Sequence, residues 1–132
     1  MVVVATSGYF DPLHVGHLEC LRLASKLGNK LVVIVNSDFQ AKLKKGKSFM
    51  NEKDRLEIIL ALKYVDEAIL SIDKDQTQCE TLKYLKPDIF AKGGDRKINE
   101  IPESKICEDL GIKIVDGLGE KIRSSSDLTG IK

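Results

Sequence analysis

A doubly wound, mostly parallel five-stranded α/β sheet with helices on both faces is the fold this sequence predicts, on three observations. Short β-branched runs of nearly continuous apolar character alternate with segments of helical periodicity. Most helical segments carry their own stop in a glycine or proline. The length of 132 residues allows one core and is too small for two. A single domain over residues 1–132 is therefore expected.

Taken in order, Val2-Val3-Val4-Ala5 and Leu31-Val32-Val33-Ile34-Val35 read as central strands buried on both faces. Between them Leu18, Leu21, Ala24 and Leu27 recur at helical spacing, with Gly28 as the stop. Asn51 is placed to cap a helix carrying Leu56, Ile59 and Leu60, followed by a strand at Ala68-Ile69-Leu70. A helix over residues 77–85 is ended by Pro87, and Ile89-Phe90-Ala91 forms the next strand. Ile106 and Leu110 mark one more helix, Gly111 stops it, and Ile112-Lys113-Ile114-Val115 supplies a fifth strand. In such a sheet ligands sit beyond the carboxyl ends of the strands. The segments 7–17, 36–49, 92–96 and 117–126 are accordingly expected as site loops.

Composition removes several function classes. With 21 Lys and Arg against 20 Asp and Glu, the net charge of +1 gives no general attraction to nucleic acid or anionic membrane. An aromatic content of 5% with no basic stripe argues further against a nucleic-acid module. The first residues lack the charged and apolar regions of a secretory signal, and no stretch is long and apolar enough to span a bilayer. A cytoplasmic location is the expectation. Cys20, Cys79 and Cys107 are widely spaced, odd in number and without a CxxC pair, so they read as reduced packing residues.

Both histidines of the chain fall in Gly8-Tyr9-Phe10-Asp11-Pro12-Leu13-His14-Val15-Gly16-His17, between a buried strand and a helix. Their spacing puts His14 and His17 on one face of the first helical turn, where free N–H groups favour a phosphate. Gly8 and Gly16 would let backbone approach the ligand. An isolated pair would be read as surface or capping histidines, but the strand–glycine–helix context favours a phosphate site. Lys42, Lys44, Lys45 and Lys47 supply cations in a polar segment that could otherwise be a solvated face. Gly46-Lys47-Ser48 imitates the end of a phosphate-binding P-loop, but Ala41 replaces the required first glycine and no strand leads directly in. Lys92-Gly93-Gly94-Asp95-Arg96 follows a strand, and Asp95 could accept bonds from a base or ribose; otherwise it is a tight turn. Ser124, Ser125 and Ser126 fit a helix cap, a triphosphate contact, or both.

The run GYFDPLHVGH resembles the GxFDxxHxGH signature of the cytidylyltransferase-like nucleotidylyltransferases. The segment from VVIVNSDFQ to VDEAIL is similar to the adenylyltransferase domain of ADP-heptose synthase and to glycerol-3-phosphate cytidylyltransferase. KPDIFAKGGD resembles the former especially, and KGGDR with Ile101-Pro102-Glu103 and Ser124-Ser125-Ser126 also looks like phosphonate cytidylyltransferase domains. The resemblance implies a Rossmann-like fold and transfer of a nucleotide from an NTP to a phosphorylated or phosphonate small molecule, with release of pyrophosphate. It implies His14, His17, Lys44 and Arg55 as the catalytic set. Gly8, Tyr9, Phe10, Asp11, Gly16, Lys92, Gly93, Gly94, Asp95, Arg123, Ser124, Ser125 and Ser126 would contact the nucleotide. Arg123 stands where relatives place an apolar or aromatic residue, and the glycerol-phosphate branch's RTxGIST run is absent. Mg2+ is expected to arrive on the NTP, since no dedicated metal cage is visible. The main expectation is CMP transfer from CTP to a sugar or polyol phosphate or a phosphonate. ATP-dependent adenylyl transfer of the heptose-phosphate, pantetheine-phosphate or FMN type is the alternative, and a non-catalytic nucleotide-binding regulator is the alternative of another class. A homodimer, and a place within a longer bifunctional chain, are both compatible with the resemblance.

Overall fold

The computed structural model describes residues 1–93 and 102–118. Five strands and five helices follow one another there: β1 (Val3–Gly8), α1 (Val15–Ser25), β2 (Lys30–Val35), α2 (Asp38–Lys45), α3 (Glu52–Leu60), β3 (Glu67–Leu70), α4 (Cys79–Leu85), β4 (Ile89–Gly93), α5 (Ser104–Leu110) and β5 (Lys113–Leu118). All strand pairings are parallel, in the order β3-β2-β1-β4-β5. The chain builds outward from β1 through β2 to β3, then returns across the sheet to β4. That reversal beside β1 makes the topological switch point at which open α/β sheets bind ligands.

Alternation along the strands divides the core in two. Val4, Leu31, Val33 and Val35 pack with Phe10, with Leu21 and Ala24 of α1 and with Ile59 of α3. Ala5, Ile34 and Phe90 pack on the opposite face with Leu82 of α4 and Cys107 of α5. The near-continuous apolar runs are explained by this, because each central strand must satisfy two helical layers. Phe90 is fully buried, and truncating such a ring to alanine typically costs about 3–5 kcal/mol.

Helix ends follow local chemistry. Asn51 caps α3, its side-chain oxygen accepting from Asp54 N–H at 2.9 Å. Gly111, with φ of 72°, ends α5 as expected. The expected stop at Gly28 is corrected: α1 already ends at Ser25 with Lys26 as its C-cap. Gly28 instead permits close approach, since a Cβ there would lie 2.7 Å from the Val2 carbonyl oxygen. Leu60 does not join the core side of α3 and remains exposed.

A larger correction concerns the expected loop over 36–49, most of which is helix α2. Ser37 Oγ accepts from Gln40 N–H at 3.1 Å while Gln40 Oε1 accepts from Ser37 N–H at 3.0 Å, a reciprocal capping box. Gly46 takes the left-handed conformation at the other end, so it closes a helix and does not open one as a P-loop glycine would. Lys92 and Gly93 are likewise in β4 and not in the loop that follows it. No described helix is long and apolar enough to cross a membrane.

Candidate active site

At the carboxyl end of β1 the chain turns through Tyr9–Leu13 into α1, and His14 is the helix N-cap. His14 Nδ1 accepts from Gly16 N–H at 3.0 Å, and His17 Nδ1 accepts from His14 N–H at 3.1 Å. A ring nitrogen that accepts a backbone N–H carries no proton, so both imidazoles hold theirs on Nε2. The rings stack with centroids 3.8 Å apart, and Phe10 meets His17 edge-on at 5.1 Å. Partial burial, with a smaller contribution from the neighbouring His14, lowers the His17 pKa from 6.5 to about 4. At neutral pH His17 is therefore an uncharged Nε2–H donor.

The two glycines of this turn also make room for side chains of the turn itself. A Cβ on Gly16 would lie 2.9 Å from His14 Cε1, so the folded-back imidazole fills that space. At Gly8 the Phe10 ring occupies the corresponding volume, 2.7 Å from a hypothetical Cβ. Both glycines serve side chains of their own turn. Phe10 itself has a φ of 52° and is buried.

Arg55 also departs from the sequence reading. It was expected on the triphosphate, yet its side chain is fully buried. Its Nε donates to Met50 O at 2.9 Å; Nη1 donates to Tyr9 O at 2.9 Å and to Asn36 O at 2.6 Å. Nη2 pairs with Asp38 at 2.7 Å. Burial works to raise the Asp38 carboxyl, but hydrogen bonds from Arg55, the Glu52 backbone and Ser48 hold it below its usual value. One guanidinium thus joins the turn after β1, the end of β2, the start of α2 and the approach to α3. Asp11 reinforces the joint by accepting from Phe49 N–H at 2.7 Å and Met50 N–H at 2.6 Å.

A cleft of about 450 Å³ opens at the strand ends, lined by Ser7, Gly8 and Tyr9 of the β1 turn, Asn36 after β2, and Lys44 and Lys92. That volume is in the ordinary range for small-molecule sites. Lys44 Nζ lies 4.6 Å from the centroid of the Tyr9 ring, which aligns it over this wall. Burial raises the Tyr9 phenol, while a hydrogen bond with Asn36 and the charge of Arg55 work the other way. The structure therefore brings Gly8, Tyr9, Lys44 and Lys92 together at this cleft, whereas His14 and His17, at the start of α1, are not among the residues that line it. Gly94, Asp95, Arg123, Ser124, Ser125 and Ser126 lie outside the described residues. The remaining wall comes from Gln76, Thr77, Gln78, Pro102 and Glu103; the sequence marks Pro102 and Glu103 only as part of a resemblance, and none of the five was expected as a site residue. Applying the strand-end rule to β3 as well would have found the first three, because they follow that strand.

Residues 5–114 match the model of the cytidylyltransferase-like family. The chain is 39% identical over 132 residues to an FAD synthase from Aciduliprofundum boonei, covering 100% of this chain and 87% of the relative. It is 38% identical over 116 residues to the bifunctional protein HldE of Nitratiruptor sp., covering 86% of this chain but 24% of that protein. A lipopolysaccharide core biosynthesis protein from Thermoplasma volcanium superposes with a TM-score of 0.76 at 36% identity, over 88% of this chain and 95% of the other. With the doubly wound sheet, the histidine-capped helix and the strand-end cleft already in place, these matches show that the chain belongs to the cytidylyltransferase-like family and is a nucleotidyltransferase.

Proposed function

We propose that the protein transfers the adenylyl group of ATP to a phosphorylated small molecule and releases pyrophosphate. The observation that carries the chemistry is the pair of imidazoles whose Nδ1 atoms are committed to backbone N–H groups, leaving two Nε2–H donors at a helix start. Such donors suit the α-phosphate as it becomes five-coordinate, where preorganised hydrogen bonds lower the barrier. An oxygen of the acceptor phosphate would form the new bond to the α-phosphorus as the bond to the β-phosphate oxygen breaks. The electron pair leaves with pyrophosphate, and no proton need move. His14 and His17 are donors in this reading, not general bases.

ATP is preferred to the CTP first expected, because relatives at 36–39% identity include several FAD synthases. Making FAD from its mononucleotide adds an adenylyl group, a requirement of the product's own chemistry. An FMN-type or sugar-phosphate acceptor follows for this chain. Lys44 and Lys92 would neutralise phosphate charge. Gly93, Gly94 and Asp95 are assigned to the nucleoside, and Arg123 with Ser124, Ser125 and Ser126 to the triphosphate, on the strength of family position. Arg55 becomes a positioning residue that fixes the turn holding Tyr9. Mg2+ would come as part of the MgATP substrate, held by phosphate oxygens and water. A cytoplasmic setting, where nucleoside triphosphates are made, belongs to the same reading.

Pyrophosphate release with ATP or CTP, Mg2+ and FMN or a sugar phosphate tests it. ATP-dependent release should exceed CTP-dependent release at least tenfold, and the reverse preference would restore the cytidylyl reading. With ATP made chiral at the α-phosphorus, the single displacement should invert configuration; retention would require a covalent nucleotidyl intermediate.

A further inference from the structure

A lysine near the end of a surface helix ordinarily sweeps through solvent, and Lys44 is the penultimate residue of α2. Its ammonium is instead placed over an aromatic ring: Nζ lies 4.6 Å from the centroid of Tyr9, and both residues line the strand-end cleft. Each side of this contact is anchored separately. Tyr9 is held through its backbone carbonyl, which accepts from Arg55 Nη1 at 2.9 Å, and through its phenol, which is hydrogen-bonded to the Asn36 side chain. Asn36 is itself buried and fixed, its N–H donating to Gly8 O at 2.9 Å and its carbonyl accepting from Arg55 at 2.6 Å. Helix α2 is held by Asp38 on Arg55 Nη2 and by Gln40 Nε2 on the carbonyls of Asp75 and Thr77. One guanidinium therefore fixes both the ring and the helix that brings the lysine to it.

The kind of partner matters for the charge. A carboxylate would orient the ammonium equally well but would neutralise it, and among the described residues Lys44 forms no ion pair. A π face attracts a cation through its quadrupole while carrying no net charge, so the ammonium keeps its field for an anion in the cleft. We infer that Tyr9 is a positioning residue, whose ring acts on the nucleotide through Lys44 by holding that ammonium ready for the triphosphate. The inference rests on the adenylyl-transfer reading, in which Lys44 neutralises phosphate charge. Immobilising an unrestrained lysine on binding lowers affinity roughly two- to tenfold, and the ring removes that loss beforehand. Asn36 supports the arrangement by pinning the phenol end of the ring.

The test is a double-mutant cycle, read by calorimetry as the affinity of the intact protein for α,β-methylene-ATP with Mg2+. Tyr9→Leu should weaken binding about fivefold, and Lys44→Ala about tenfold or more. In the Lys44→Ala background Tyr9→Leu should add less than about twofold, because the ring has no lysine left to hold. Tyr9→Phe keeps the ring, and its affinity should stay within about twofold of the wild type. No loss in Tyr9→Leu would overturn the inference. So would an equal loss with and without Lys44, which marks direct nucleotide contact or a general structural role, or a Tyr9→Phe affinity as low as that of Tyr9→Leu. Should a Tyr9 variant fail to fold, NMR of the wild type decides: the ε-methylene signal that vanishes in Lys44→Ala should be shifted upfield by the ring current, and an ordinary position would overturn the placement. A wild type that binds no α,β-methylene-ATP would defeat adenylyl transfer and the inference together, whereas binding without coupling would defeat only the role of Tyr9.

Discussion

Two helices of this protein begin with the same hydrogen-bonding device made from different residues. At α2, Ser37 and Gln40 exchange bonds with each other's backbone, and the remaining Gln40 amide is spent on Asp75 and Thr77 carbonyls. At α1, His14 and His17 perform the equivalent capping through Nδ1. A serine and glutamine cap uses its polar atoms internally and yields only stability. An imidazole cap has a second nitrogen, so the bond that anchors the helix also sets the tautomer and leaves an N–H donor available. The comparison shows how a structural motif becomes a chemical one by a change of side chain without a change of backbone.

The largest effect is expected where both turns are tied together. Arg55→Ala removes a buried cation and leaves three carbonyls and Asp38 without their partner, which should cost about 3–5 kcal/mol in urea unfolding. A loss below about 1 kcal/mol would show that the joint is redundant. Next comes the separation of capping from chemistry: His14→Asn keeps a good N-cap but has no Nε2–H. Its turnover should fall roughly 10²–10³-fold while its melting temperature changes little, whereas His14→Ala should also lose about 1 kcal/mol of cap. Full activity in a folded His14→Asn enzyme would reduce the α1 cap to the status of the α2 cap.

Smaller changes sharpen the same contrast. Gly16→Ala puts a Cβ 2.9 Å from His14 Cε1, so the ring must move. A displaced donor should lower kcat about tenfold or more with little loss of stability, as steady-state kinetics and thermal unfolding can establish together. Below neutrality, the depressed His17 pKa has two consequences. Its neutral donor form persists well below pH 6.5, so loss of activity from its protonation should appear only near pH 4. The unfolded chain takes up this proton first, at about 6.5, so the stability linked to His17 is present above that value and is lost as pH falls toward 4. A wild-type protein and a His17→Gln variant with the same pH dependence of unfolding would contradict the shift. Ser37→Ala should show the smallest effect, about 1 kcal/mol of stability and less than a twofold change in turnover.

The legibility of the fold in the sequence follows from the same local physics. Runs such as Leu31–Val35 announced central strands because both faces are covered, and Asn51 and Gly111 marked helix ends through bonds to nearby backbone. Helix α2 carries an equally local signal in Ser37 and Gln40, but its lysines give it the composition of a solvated loop, so charge content alone does not distinguish the two. In the histidine turn, residue types and spacing pointed to the chemistry because residues three positions apart at a helix start share a face in any fold.

The sequence by itself therefore determined the alternating α/β layers, the helix-borne histidine pair and the family resemblance, all of which depend on interactions within a few residues. Only the tertiary structure decided the fate of Arg55, whose partners Tyr9 and Asn36 are 46 and 19 positions away. It also decided that Phe10 and His14 fill the space beside Gly8 and Gly16, and that Gln78 meets Glu103 across 25 residues. Burial and long-range hydrogen bonds depend on which strands become neighbours, and the return from β3 to β4 beside β1 is set by the packing of the whole chain.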